Sequence, residues 1–249
     1  MPALPGSPFY QGNWKNLLEF VLRDAETLQQ GGVDGLFIEN YGDLPFYPEQ
    51  VPHETVAHLA VIAQQVVQTT GLPLGVNVLR NDAFSALAIA KAVGARWVRV
   101  NILTGARLTD QGIVQGKAHD LLRYRKKIGA SDVKIVADIS VKSSYAIANR
   151  SLEAEVEETV LRSGADGLIV SGASTGKPVS PRVLQTVKEL AGSLPVWIGS
   201  GAHPKNVKSM SRWADGFIVG SSLKPRLDAP IEKKRVQTLI HALRGKKSS

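Results

Sequence analysis

Residues 164–172 read GADGLIVSG. A tight glycine turn carries an aspartate and then releases three apolar, mostly β-branched residues, which fits a short buried strand. The same phrase recurs as GVDGLFIEN at 32–40 and ADGFIVGSS at 214–222, with GARWVRVNI at 94–102 as a variant. Each copy follows a segment with apolar residues at 3.6-residue spacing, so the repeat marks a helix-to-strand turn.

Outward from these turns, seven apolar runs predict strands at 35–40, 72–79, 97–103, 134–140, 167–172, 195–201 and 216–222. Amphipathic spacing predicts helices near 14–30, 52–70, 82–93, 116–128, 151–163, 180–191, 204–212 and 229–244. Asp82 and Ser151 suit helix N-caps. Continuous apolar strands alternating with helices predict a parallel sheet covered on both faces. Even repetition without a break in composition favours a single α/β domain over 1–245, a (β/α)8 TIM barrel, with a short basic tail at 246–249. A doubly wound open sheet is the alternative. Eight helices against seven strands, with a loop and a helix coming first, leave the barrel one strand short. An open apolar edge is an aggregation hazard, so a first strand is expected upstream of Met1.

The chain has 249 residues, 30 Lys+Arg against 22 Asp+Glu, and no cysteine. That excludes disulfides, thiolate metal sites and a cysteine nucleophile. The net charge of +8 is uneven: residues 223–249 carry eight basic side chains against Asp228 and Glu232, leaving the rest near neutral. This argues against a nucleic-acid surface and for a local cationic segment that suits an anionic membrane surface. No run is long and apolar enough to span a membrane.

Polar residues gather where barrel chemistry sits, at the C-terminal ends of the strands. Glu39, Asn77, Arg99, Asn101 and Asp138 end four successive strands; Asp110, Lys142, Ser171 and Thr175 lie in or beside the loops. Glu39, Asp138 and Lys142 are the acid–base candidates, and Asn77, Arg99, Asn101, Asp110, Ser171 and Thr175 the substrate-binding ones. Gly199-Ser200-Gly201 and Gly220-Ser221, with Lys224, form a candidate phosphate cup after the last two strands, where glycines let amides approach an anion. Carboxylates with asparagine oxygens could instead hold a divalent metal. Spacing selects no metal, no cofactor and no reaction.

Other patterns carry less. Gly172–Gly176 matches G-x-S-x-G, but Lys177-Pro178 stands where a nucleophile elbow must turn into a helix. It is also one residue short of a P-loop, with Pro178 in the Ser/Thr position. His53, His58 and His119 lack metal-ligand spacing. The basic run Arg123–Lys127 suits a helix C-terminus.

Specific strings add a resemblance. PALPGSP (2–8), GLFIENYGDLPF (35–46), LGVNVLRNDA (74–83), RVNILTG (99–105), TDQGIVQG (109–116) and ADISVK (137–142) resemble the BtpA/SgcQ family along nearly the whole chain. The resemblance implies a ribulose-phosphate-binding-type barrel. For cyanobacterial members it implies photosystem I biogenesis: stabilising reaction-centre proteins, peripherally, at the cytoplasmic face of the thylakoid membrane. The partners expected are those proteins or their assembly machinery, an anionic membrane, a small phosphorylated ligand and further copies of the chain. A metabolic enzyme acting on a small phosphorylated or sugar-like substrate is the alternative. Two departures stand out. The family's strand ending near His-Leu before PLPGSP is absent here, and Lys142-Ser143 replaces the frequent Lys-His.

Overall fold

The computed structural model describes residues 1–172 and 177–245. The chain runs α1 (Trp14–Gly31), β1 (Leu36–Glu39), α2 (His53–Thr70), β2 (Leu74–Asn77), α3 (Ala83–Val93) and β3 (Trp97–Val100). A hairpin of β4 (Ala106–Thr109) and β5 (Gly112–Gln115) follows, then α4 (Ala118–Lys127), β6 (Lys134–Ile139), β7 (Ser144–Ala146), α5 (Leu152–Arg162) and β8 (Gly167–Val170). The last part holds α6 (Pro181–Leu190), β9 (Val196–Ile198), α7 (Val207–Met210), β10 (Gly216–Phe217), a 3-10 turn at Ser221–Leu223 and α8 (Lys233–Arg244).

Local chemistry accounts for the element ends. Asn13 caps α1 by accepting from the Asn16 amide, Asp82 caps α3 through Ser85, and Ser151 caps α5 through Ala154. The repeated Ala-Asp-Gly phrase has a definite task. Asp166 and Asp215 each accept a hydrogen bond from an amide at the start of the preceding strand in the sheet, Ile135 and Val196. They tie each new strand to its neighbour before pairing begins. Asp34, in the first copy, is exposed and pairs with Arg244 instead.

Seven parallel strands pair in the order β1-β2-β3-β6-β8-β9-β10. The sheet is rolled up. Four strands separate β1 from β9, yet the Phe37 and Trp197 rings lie 6.2 Å apart, and Trp97 of β3 meets Trp197 at 5.6 Å. These rings plug the lower barrel. Gly75 makes room for them: a Cβ there would sit 2.4 Å from the Phe37 ring. Outside, α1 packs on α8, with Gly31 against Val236, so the helix ring closes. Among the described residues no strand lies between β10 and β1. The fold is therefore a TIM barrel to which the described residues contribute seven parallel strands. Near that gap Leu4, fully buried, donates its amide to Asp43.

All seven expected strands and eight helices are found, most of them shorter than expected. The last expected strand stops at Phe217, short of the 3-10 turn that begins at Ser221, and the helix near 204–212 holds only Val207–Met210. The small antiparallel sheet β5-β4-β7 was not expected. Its hairpin turns on Thr109-Asp-Gln-Gly112: the Thr109 hydroxyl donates to the Gly112 carbonyl and accepts from the Gln111 amide, and Gly112 has φ 92°. Residues 246–249 lie outside the described residues.

Candidate ligand-binding mouth

Side chains of a strand alternate, so the residues two beyond the aromatic plug also face the barrel interior. Those residues are Glu39 above Phe37, Asn77 above Gly75, and Arg99 with Asn101 above Trp97. With Asp138 and Ser171 they form a polar layer at the C-terminal ends of the strands.

Asp138 organises this layer. Its Oδ2 accepts from Arg99 Nε at 2.8 Å and from Asn101 Nδ2 at 2.9 Å. Its Oδ1 accepts from Arg99 Nη2 at 2.8 Å and from the Ser171 hydroxyl at 3.3 Å. A carboxylate has about four lone-pair sites, and all are engaged. Burial opposes the charge on Arg99, but the field and hydrogen bonds of Asp138 outweigh it and hold Arg99 above the usual guanidinium range. Asp138, an acid–base candidate in the sequence, thus has both carboxylate oxygens engaged by these donors. Ser171 and Arg99 belong to the same closed network.

Three neighbouring buried atoms are left without a partner among the described residues: Asn77 Nδ2, Arg80 Nε and Asn101 Oδ1. Each such group costs about 1–3 kcal/mol when desolvated and unpaired. Arg80 lies across the mouth and donates from Nη2 to the Lys142 carbonyl at 2.7 Å. Burial pulls its guanidinium below the usual range.

Lys142 sits on a strained loop. Ser140 and Ser143 both have positive φ, 49° and 54°, unusual for residues with a Cβ. Glu155 fixes the loop by accepting from the Ser140 amide and hydroxyl. No carboxylate pairs with the Lys142 amine among the described residues. Burial lowers its pKa; Glu39 opposes that shift, Arg99 supports it, Asp138 opposes it and Arg80 supports it. Charged Lys142 thus disfavours the fold below its folded pKa, and the penalty fades as pH rises toward 10.5. Lys142→Met is accordingly expected to be more stable than wild type at pH 7, with the advantage shrinking by pH 10. Urea midpoints across that range check this.

The phosphate-cup residues divide. A Cβ on Gly199 would meet Ile169, Ser171 and Arg99, so this glycine serves the packing of the layer below. The Ser200 hydroxyl accepts from the Gly172 amide. The Lys224 amine lies 3.2 Å from Asp24 and over the Phe20 ring, so its charge is already balanced. A cleft between the loops after β9 and β10 is lined by His203, Lys205, Ser221, Ser222, Lys224 and Arg235. Sequence reasoning missed Lys205 and Arg235, which reach it from the turn before α7 and the first turn of α8. Asp110 lies exposed on the hairpin turn, bonded to Gln111, and its negative charge favours the charged form of Arg80. Thr175 lies outside the described residues. No three His, Asp or Glu side chains gather as metal ligands among the described residues.

The rolled parallel sheet, the ring of helices and the polar layer at the strand ends define a TIM barrel of the kind that places ligands at its C-terminal mouth. Solved structures share this fold. They include N-(5'-phosphoribosyl)anthranilate isomerase from Pyrococcus furiosus (TM-score 0.59, 13% identity, 89% of this chain and 93% of that one). Another is orotidine 5'-phosphate decarboxylase from Pyrococcus horikoshii (TM-score 0.61, 15% identity, 94% and 97%). The chain belongs to the BtpA family, whose model matches residues 1–245. It is 42% identical to the photosystem I biogenesis protein BtpA of Synechocystis sp., over 96% of this chain and 84% of that one. It is 41% identical to an uncharacterized protein of Pyrococcus furiosus (96% and 90%) and 32% identical to an uncharacterized mitochondrial protein of Caenorhabditis elegans (90% and 82%).

Proposed function

We propose that this barrel binds and transforms a small phosphorylated, sugar-like substrate in its mouth. The single observation that carries the reading is Lys142, an amine without a carboxylate partner on a strained loop over a polar layer. In this reading Lys142 and Glu39 handle protons, while Arg99 and Asp138 fix the layer that supports them. The substrate's anion sits against Lys205, Ser221, Ser222 and Arg235, whose pairing with Glu232 is solvent-exposed and exchangeable, unlike the largely buried Lys224–Asp24 pair. Relatives in an archaeon and a nematode suit a metabolic role independent of photosynthesis. A phosphorylated substrate at 100 times its Kd would stabilise the fold by about 2.7 kcal/mol. Thermal melts are expected to rise with inorganic phosphate and with phosphorylated sugars, and to rise less in Lys205→Ala/Arg235→Ala. No rise with any of them would sink the reading.

A second reading rests on the Synechocystis relative: a photosystem I biogenesis factor, peripheral at the cytoplasmic face of the thylakoid, acting on reaction-centre proteins. The basic C-terminus gives it less support than the charge count suggests. Lys224, Arg226, Arg235 and Arg244 each have an acidic partner. No described helix is long and apolar enough to cross a membrane. Fractionation with thylakoids and release by salt favour this reading; unaltered photosystem I in cells lacking the protein overturns it.

A further inference from the structure

The unpaired atoms of the mouth specify more than a polar ligand. Asn77, Arg80 and Asn101 are each at most 4% exposed, and they cluster at the ends of β2 and β3. The register Val76↔Val98 places Asn77 beside Arg99, with Asn101 one step further toward the mouth. The orientation of Asn101 is chemically fixed. Its amide nitrogen donates to Asp138, and a carboxylate fully engaged by donors cannot accept the amide oxygen in its place. Asn101 Oδ1 therefore faces away from Asp138 and needs a donor. Asn77 Nδ2 and Arg80 Nε, both N–H groups, need acceptors.

We infer that Asn77, Arg80 and Asn101 form a subsite for a neutral, hydroxyl-bearing carbon chain, so that the substrate is a polyol or sugar phosphate. A hydroxyl both donates and accepts, so two neighbouring hydroxyls, or a hydroxyl beside a carbonyl, satisfy all three atoms. A carboxylate or second phosphate only accepts; it would set oxygen against Asn101 Oδ1. An alkyl or aromatic group would leave all three atoms unpaired. The inference deepens the enzyme reading of the same mouth and rests on it.

Titration calorimetry of the full chain at low ionic strength tests it with three probes: inorganic phosphate, ribose 5-phosphate and pentyl phosphate. The last has a five-carbon chain without hydroxyls. A site built to hydrogen-bond a hydroxyl rejects an analogue lacking it strongly. Ribose 5-phosphate is expected to bind at least about tenfold more tightly than pentyl phosphate. In Asn77→Leu and Asn101→Leu that ratio falls toward one, with affinity for inorganic phosphate unchanged. If these variants do not fold, the wild-type ratio decides alone. Less than a tenfold preference overturns the hydroxyl subsite while leaving the phosphate cleft intact. Failure of all three probes overturns both.

Discussion

Asp138→Asn is expected to lose about 3–5 kcal/mol of folding stability, the range for breaking one side of a buried ion pair. Size is not the reason, because asparagine fills the same space. Both carboxylate oxygens accept from the Arg99 guanidinium. Whichever way the new amide turns, its NH2 faces an Arg99 donor. Arg99 is 3% exposed, so its charge cannot recover the loss from water. Replacing both partners, as Arg99→Met/Asp138→Leu, removes the charge together with its partner and is expected to recover most of the stability. Urea denaturation of the two singles and the double separates these outcomes. A loss below about 1 kcal/mol in Asp138→Asn would mean that water reaches the pair as it does an exposed one.

The second large effect is expected at Gly201. Its φ is +74°, and a Cβ there would lie 2.1 Å from the Lys177 carbonyl oxygen and 2.7 Å from the Pro178 Cα. Gly201→Val combines a β-branched residue in the left-handed region, about 1–3 kcal/mol, with overpacking against backbone, about 1–3 kcal/mol more. Gly220 is the internal contrast. Its φ is −133° and nothing stands within 4 Å of its missing Cβ. Gly220→Ala is expected to stay within about 0.5 kcal/mol of wild type. Thermal denaturation of both checks the pair. Equal losses would contradict the packing of the Lys177 carbonyl against Gly201.

The parallel core was legible because its signals are local. Apolar runs after glycine turns gave every strand, and polar residues at their ends gave the mouth. What stayed hidden depends on distant partners. Arg99 and Asp138 stand on different strands, and no spacing reveals that each uses up the other. Lys224 looks like an anion ligand until Asp24 of the first helix is found beside it. The β4–β5 hairpin was missed because Thr109-Asp-Gln-Gly reads as a polar loop, and Leu108, Ile113 and Tyr145 on its sheet stay exposed rather than marking a core face. The orphaned atoms of Asn77, Arg80 and Asn101 are invisible in sequence, because a missing hydrogen bond exists only once the neighbours are placed.

In the proposed reading the mouth is a ligand site whose floor is already complete and whose β2–β3 wall is not. Side-chain N–H resonances of isotope-labelled protein, titrated with ribose 5-phosphate, test it most directly. Arg80 Nε–H and the Asn77 amide are expected to shift and gain protection from exchange, while Arg99 Nε–H, already bonded to Asp138, stays unchanged. Saturating ligand that leaves Arg80 and Asn77 unmoved, or that perturbs Arg99 instead, would contradict it.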